Sequence, residues 1–436
     1  MKIDSFTFVK SNSTLYKKNF GKCSNIFKNL LNSRENFFFD TLSEQFQKNL
    51  FLKKNLLKKK LHKKILVIGM GGSVLGSKMI SSFFGLDKNY YFLDNLNNIA
   101  INDLIKKDLS MFTIFVISKS GQTLETLTNC NIILSHFKKR KKNLSKNFII
   151  ISEKNNALFN FAKKNSILFF QHNTNLSGRY SVLSDPGLLM FNLDYKKIIL
   201  GINSVLKGNL KKDLIKNTAT ILSLMKKSKI DTYVSLIYSN NLLNYGYWHQ
   251  QLLAESIGKN GKDLTPIISE CPKDHHSIMQ LFLDGNRNKF FTFFKIANKK
   301  IDRSIKDHFN QKFRSNSLNN IINAQFNATI SVFKKNFIPF RVILIDQKKP
   351  TQNLVSLLVY SMMETVILSK ALDLNSDKGS YVRAKLNAEG QVTPLTNQES
   401  LITLSEADSL IALPEKSKKL SAGDLVNILM INRVSN

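Results

Sequence analysis

Short runs of β-branched and aromatic residues alternate with helix-like stretches twice along this chain, and that alternation constrains its fold more than any other feature. The first series is Ile65 to Gly69, Tyr90 to Leu93, Phe112 to Ser118, Phe148 to Ser152 and Ile167 to Phe170. A helix fits between successive runs, which is the pattern of parallel strands in a doubly wound sheet. A second series follows a helical stretch at about 210–228. It comprises Asp231 to Ser239, Leu264 to Ser269, Phe290 to Ile296 and Phe340 to Asp346, with a long apolar helix at about 351–373. The expected fold class is therefore α/β, with two αβα sandwiches over 63–208 and 209–375. Residues 1–62 carry helix-spaced apolar positions (Phe27, Leu30, Leu31, Leu42, Phe46, Leu50) without a strand signal, so a helical lead-in is expected there. No short tandem period is present, which excludes a solenoid or propeller.

Charge marks off the tail. The chain has 436 residues with 64 Lys+Arg against 31 Asp+Glu, a formal +33. Residues 376–436 nevertheless balance seven acids with seven bases, so the whole excess lies upstream. Within that tail, Tyr381 to Leu386, Ser409 to Leu413 and Leu425 to Ile431 read as β. Upstream the lysines are scattered, and no helix-turn-helix, zinc-finger or ribonucleoprotein pattern accompanies them, so nucleic acid is not an expected partner. Cys23, Cys130 and Cys271 are too few and too far apart for a disulfide framework or a metal cluster and fit a reducing cytoplasm. The start, Met1 to Ser5, has an early acid and no apolar h-region, and no run approaches the roughly 20 apolar residues that span a bilayer. A soluble, cytoplasmic chain without a membrane partner is expected.

Two loops follow strands and carry chemistry. The first, Gly69-Met70-Gly71-Gly72-Ser73-Val74-Leu75-Gly76, lets backbone approach a ligand closely and opens a helix whose N–H groups suit an anion. It fails the dinucleotide fingerprint because Val74 replaces the third glycine, although Asp94 ends the next strand at a distance that suits a ribose contact. The second loop, Ser118-Lys119-Ser120-Gly121-Gln122-Thr123, places three hydroxyls and several amides at a helix start. Capping requires one hydroxyl; three suit a phosphate monoester, whose charge the helix dipole favours.

Three further segments stand out. Gly178-Arg179-Tyr180-Ser181 puts an arginine in a turn, which alone reads as a surface residue. Trp248 to Ser256 is a helix with Leu252 and Leu253 on one face and Glu255 near its end, where a solvated glutamate is the ordinary reading. His275 and His276 precede the helix Ile278 to Leu283. Adjacent side chains point apart, so at most one of them serves a given site.

These segments resemble the phosphoglucose isomerase family, built on two sugar-isomerase (SIS) domains, over about residues 60–375. The matching motifs are Gly69 to Gly76, Ser118 to Thr126, Gly178 to Ser181, Gln250 to Lys259 and His276 to Gly285, in family order. The resemblance implies an aldose–ketose isomerase acting on glucose 6-phosphate and fructose 6-phosphate, without cofactor or metal. Ser118, Ser120 and Thr123 would bind the phosphate, with Lys119 contributing its backbone. Glu255 would be the base that moves a proton through a cis-enediol, and Arg179 would stabilise the intermediate's charge. Gly72, Ser73 and Gly178 would line the sugar site. His276 would help open the ring from the neighbouring subunit, which implies a homodimer.

The resemblance stops short of the family's last motif, Asp-Gln-Pro-x-Val-Glu-x-x-Lys. Here Asp377-Lys378-Gly379-Ser380-Tyr381-Val382-Arg383-Ala384-Lys385 stands instead, and Lys385 alone keeps the lysine spacing as a catalytic candidate. From Gly379 to Val426 the tail resembles the C-terminal β-barrel domain of the molybdopterin molybdenumtransferase family, without that family's larger domains. On its own it does not predict molybdopterin binding. The alternative expectation is a catalytically impaired phosphosugar-binding protein.

Overall fold

The computed structural model describes the chain apart from residues 34–37, 58–60, 140–142, 259–263, 298–301, 307, 310–316, 373–380, 396–406, 413–422 and 431–436. The N-terminal strand β1 (Lys2–Phe6) leads into helices α1 (Thr14–Ser33) and α2 (Glu44–Leu57). Next come β2 (Lys64–Gly69), α3 (Leu75–Phe83), β3 (Tyr90–Leu93), β4 (Phe112–Ile117), α4 (Leu124–Lys139), β5 (Phe148–Ser152), α5 (Ala157–Lys164) and β6 (Leu168–Gln171). Helices α6 (Tyr195–Leu206) and α7 (Leu210–Ser228) precede β7 (Thr232–Ile237), α8 (Leu243–Ile257), β8 (Thr265–Glu270), β9 (Lys289–Ala297), α9 (Leu318–Lys335), β10 (Phe340–Asp346) and α10 (Pro350–Ala371). The tail holds β11 (Tyr381–Leu386), β12 (Val392–Pro394), β13 (Ser409–Ala412) and β14 (Asn427–Met430).

Strands β2 to β6 form one parallel sheet in the order β3-β2-β4-β5-β6. Strands β7 to β10 form a second parallel sheet, and β1 pairs antiparallel with β10 to close its edge, giving β1-β10-β9-β7-β8. Both α/β series are thus as expected, but the lead-in is not wholly helical. The five residues of β1 lie on an edge with Ile3 and Phe6 only half-buried, so no apolar alternation betrays them.

Alternate residues of each sheet feed different cores, as the two-residue period of a strand requires. Ile65, Val67, Phe115 and Ile117 join Tyr233, Ile237, Phe294 and Ile343 in one central core shared by both sheets, α1, α6, α7, α8 and α10. Leu66, Ile68, Ile114 and Val116 face a second core with α4 and α5, and Phe291, Phe293 and Phe340 a third with Phe326 and Phe333 of α9. The expected division at 208/209 falls between α6 and α7. Ser204 of α6 and Tyr360 of α10 tie both helices to α10, through Ser204 Oγ to Ser356 Oγ at 2.8 Å and Tyr360 OH to the Asp213 carbonyl at 3.3 Å.

Among the described residues, α10 is the single helix long and apolar enough to cross a bilayer, and 89% of its apolar window is buried inside the protein. It carries Glu364, whose carboxylate takes both Arg341 guanidinium nitrogens at 2.6 Å. Tyr233 OH accepts from Nη2 at 2.8 Å and Thr292 Oγ1 from Nε at 3.0 Å, so both carboxylate oxygens and four of the five guanidinium N–H groups of this buried pair are engaged.

The tail is an antiparallel sheet in the order β12-β11-β13-β14. Its buried Ala384, Ala407 and Ile411 belong to none of the three cores. The expected 375/376 boundary and Lys378 lie outside the described residues.

Candidate active site

In the first sheet β2 is followed by β3 on one side and β4 on the other, so the crossover reverses between β2 and β4. Such a reversal opens a crevice beyond the carboxyl ends of the strands. The two loops singled out above leave those two ends side by side, with Gly69 in register with Ile117.

The Ser118–Thr123 loop is organised by its own hydroxyls. Ser118 Oγ lies 3.1 Å from Thr123 Oγ1 and accepts the Gly121 N–H at 3.1 Å, while Ser120 Oγ accepts the Gln122 N–H at 3.3 Å. Ser118 is buried, whereas Lys119, Ser120 and Thr123 are partly open. Lys119 contributes its carbonyl to the structure beneath, accepting the Glu153 N–H at 3.0 Å, and its ammonium lies 3.9 Å from Glu153. Gly121 adopts φ +66°, a left-handed conformation suited to glycine. Asp94, the residue placed for a ribose, instead pairs with Lys78 at 2.6 Å.

The glycine loop forms a 3-10 turn at Gly71–Ser73 and lies against the second 3-10 turn, Gly178–Leu183. A Cβ on Gly72 would stand 2.2 Å from the Gly178 carbonyl carbon and 2.6 Å from the Arg179 nitrogen, so this approach of two backbones requires glycine. Ser181 Oγ bridges the turns, donating to the Gly72 carbonyl at 3.2 Å and the Gly178 carbonyl at 2.8 Å. Ser73 sits partly open at the end of the first turn.

Arg179 is thereby aimed at the end of α8. Its Nη1 donates to Glu255 Oε2 at 3.1 Å and to Ser177 Oγ at 2.9 Å, and its Nε donates to Ser256 Oγ at 2.9 Å. Glu255 Oε1 accepts from Gln251 Nε2 at 2.7 Å, one helical turn earlier. Both carboxylate oxygens are therefore held, while the side chain keeps 46% exposure. A half-open carboxylate beside a guanidinium suits proton transfer next to a carbonyl, with positive charge where an oxyanion would grow.

Gln251, Ser177 and Ser256 are site residues that sequence reasoning passed over. The four-residue spacing of Gln251 and Glu255 on one helix face was the available signal for the first. Ser256 stood in the Gln250 to Lys259 motif without a role of its own and Ser177 carried no signal, because only the fold brings the two serines to one guanidinium. Lys259, the end of the α8 motif, lies outside the described residues.

Two expected residues, His276 and Lys385, share no described hydrogen bond with Arg179 or Glu255. His275 turns inward, with Nε2 2.7 Å from Tyr238 OH, and burial lowers its proton affinity. His276 points outward and is exposed. Lys385 is exposed on β11 opposite Thr393, and among the described residues no hydrogen bond joins it to Arg179 or Glu255. No group of three or more His, Cys, Asp or Glu able to hold a metal occurs among the described residues.

Comparison with known proteins locates this arrangement. The phosphoglucose isomerase family model matches residues 53–321, and that of the MoeA C-terminal region (domain IV) matches 365–431, starting within α10. A probable glucose-6-phosphate isomerase of Methanococcus maripaludis is 31% identical over 354 residues, 78% of this chain and 80% of the relative. The glucose-6-phosphate isomerase of Methanocaldococcus jannaschii is 32% identical over 334 residues, 74% of this chain and 82% of the relative. Among solved structures, a hypothetical protein of Thermus thermophilus superposes with TM-score 0.73 at 20% identity, covering 85% of this chain and 94% of its own. A glucose-6-phosphate isomerase of Chlamydia trachomatis superposes with TM-score 0.64 at 19% identity, covering 77% of this chain and 70% of its own. With the family model matching more than half of its length and those two relatives covered over about four fifths of theirs, this chain belongs to the phosphoglucose isomerase family of isomerases.

Proposed function

We propose that this protein interconverts glucose 6-phosphate and fructose 6-phosphate, with the phosphate held at Ser118, Ser120, Thr123 and the loop amides. The observation that carries the reading is the Arg179–Glu255 contact at 3.1 Å, set at the crevice that the two glycine-containing loops border. Glu255 takes the proton from C2 of the open-chain aldose and returns it to C1, passing through a cis-enediol in which O1 has gained a proton, and O2 gives up its own as the ketone forms. Arg179 balances the negative charge that develops on the enediol oxygens. Gly72, Ser73 and Gly178 line the sugar side of the crevice. No residue in this scheme requires a cofactor.

The exposed position of His276 supports a homodimer in which it serves the neighbouring subunit's crevice as ring-opening acid or base. The two parallel sheets correspond to two sugar-isomerase domains, at about 63–208 and 209–375. The free, buried state of all three cysteines supports a cytoplasmic setting. Lys385 receives no step in this scheme. Its exposure on the tail sheet favours a second reading, a phosphosugar-binding protein with impaired turnover. A coupled assay of the purified chain separates the two: turnover supports the first, and sugar-phosphate binding without turnover supports the second.

A further inference from the structure

Besides its own hydroxyls, the Ser118–Thr123 loop is braced from outside by the turn after β5. Lys119 O accepts the Glu153 N–H at 3.0 Å and the Ser152 hydroxyl at 3.4 Å, and the Ser118 N–H donates to Ile151 O at 3.1 Å. Asn156 anchors this turn. Its Oδ1 caps α5 by accepting the Phe159 N–H at 3.0 Å, and its Nδ2 donates to Ser152 Oγ at 2.9 Å and to Glu153 O at 2.8 Å. The carboxamide lies flat against Gly121, where a Cβ would stand 2.3 Å from Asn156 Cγ and Oδ1. Ser152 and Asn156 are buried, at 0% and 8% exposure, so neither meets a ligand directly.

We propose that Asn156, acting through Ser152 and Gly121, is a positioning residue that presets the Ser118–Thr123 loop for a phosphate monoester. The proposal rests on the reading of that loop given above. Hydrogen bonds to an anion reward alignment, and here alignment is fixed by a side chain whose two N–H donors go to the neighbouring turn and whose oxygen caps α5. A side chain at Gly121 would collide with the carboxamide, so the left-handed glycine and the carboxamide against it are fitted to each other, while the Gly121 N–H donates to Ser118 Oγ at 3.1 Å. Glu255 and Arg179 sit on other elements and share no hydrogen bond with Asn156, so the effect falls on binding rather than on proton transfer.

The test uses the full chain and the variants Asn156→Ser and Ser152→Ala. Serine remains an acceptor able to cap α5, adds no charge near the phosphate, and removes both Nδ2 donors and the plate against Gly121. Binding of inorganic phosphate by calorimetry, KM and kcat for fructose 6-phosphate, and Tm are measured together. Both variants are expected to weaken phosphate binding and raise KM by about tenfold, the value of one misaligned hydrogen bond to a charged group, with kcat within about twofold. Asn156→Ser is expected to keep most of its thermal stability. Phosphate affinity within twofold of the parent in both variants, with Tm lowered, would make Asn156 a helix cap only and overturn the proposal. A parent chain that binds no phosphate would overturn the loop reading and this inference with it. Phosphate binding that is lost in the variants, even from a parent without turnover, would support the brace while sinking the isomerase reading alone.

Discussion

Replacing Glu255 by glutamine isolates the proposed base with little change of shape. In the parent, Oε1 takes the Gln251 amide at 2.7 Å and Oε2 takes Arg179 at 3.1 Å. Glutamine keeps an oxygen for Arg179 and turns an amide towards Gln251. Gln251 Oε1 is buried without a partner, so a flip of the Gln251 amide presents the acceptor that the new N–H needs. Folding and substrate binding should therefore survive. The phosphate loop shares no described hydrogen bond with Glu255, so KM is expected to stay within about threefold. What is lost is a proton acceptor, and positioned acid–base groups contribute about 10² to 10⁴ in rate, or roughly 2.7–5.5 kcal/mol of barrier. The assay is fructose 6-phosphate turnover coupled to a dehydrogenase, with phosphate binding as the control for the fold. Activity of Glu255→Gln within tenfold of the parent would refute the assignment of the base.

Three other perturbations test separate parts of the account. Gly72→Ala forces its methyl against Gly178 and the Arg179 nitrogen, and the resulting shift of about 1 Å should lower kcat/KM by about 10²-fold in a chain that still unfolds cooperatively; unchanged kinetics would show that the turns do not aim Arg179. Glu364→Gln leaves Arg341 buried without its counter-charge and should cost about 3–5 kcal/mol in urea unfolding, most of it recovered in the double variant Arg341→Met, Glu364→Leu; a loss below about 1 kcal/mol would contradict the packing described. Lys385→Ala should leave turnover within about twofold, since the side chain is exposed on β11, and a tenfold loss would place it in the crevice.

The parallel strands were legible because strands buried on both faces must be apolar almost throughout. Ile65 to Ile68 and Phe112 to Ile117 lie between 0% and 2% exposed and read accordingly in the sequence. Two edge strands, β1 and β12, escaped, while the tail's β11, β13 and β14 fall on runs read as β. β1 has its two half-buried apolar residues, Ile3 and Phe6, three apart on opposite faces, and β12 is three residues long, so neither has a two-residue pattern to read. The loops were legible for a different reason, since a chain that must bring Gly72 against Gly178 has only glycine to use there. Arg179 and Glu255 looked ordinary in isolation, and 76 residues separate them. Their meeting depends on α8 crossing to the first sheet's loops, which no local spacing encodes. Asn156 was invisible for the same reason. In sequence it is one asparagine among many before a helix, and only the sheet order places it beneath Gly121.

The central claim is tested most directly by incubating the purified full-length chain with glucose 6-phosphate and following fructose 6-phosphate through a coupled dehydrogenase, then running the reverse reaction. The account predicts turnover in both directions that disappears in Glu255→Gln. A folded chain that binds inorganic phosphate and sugar phosphate yet interconverts neither sugar would contradict it and leave a phosphosugar-binding protein in its place.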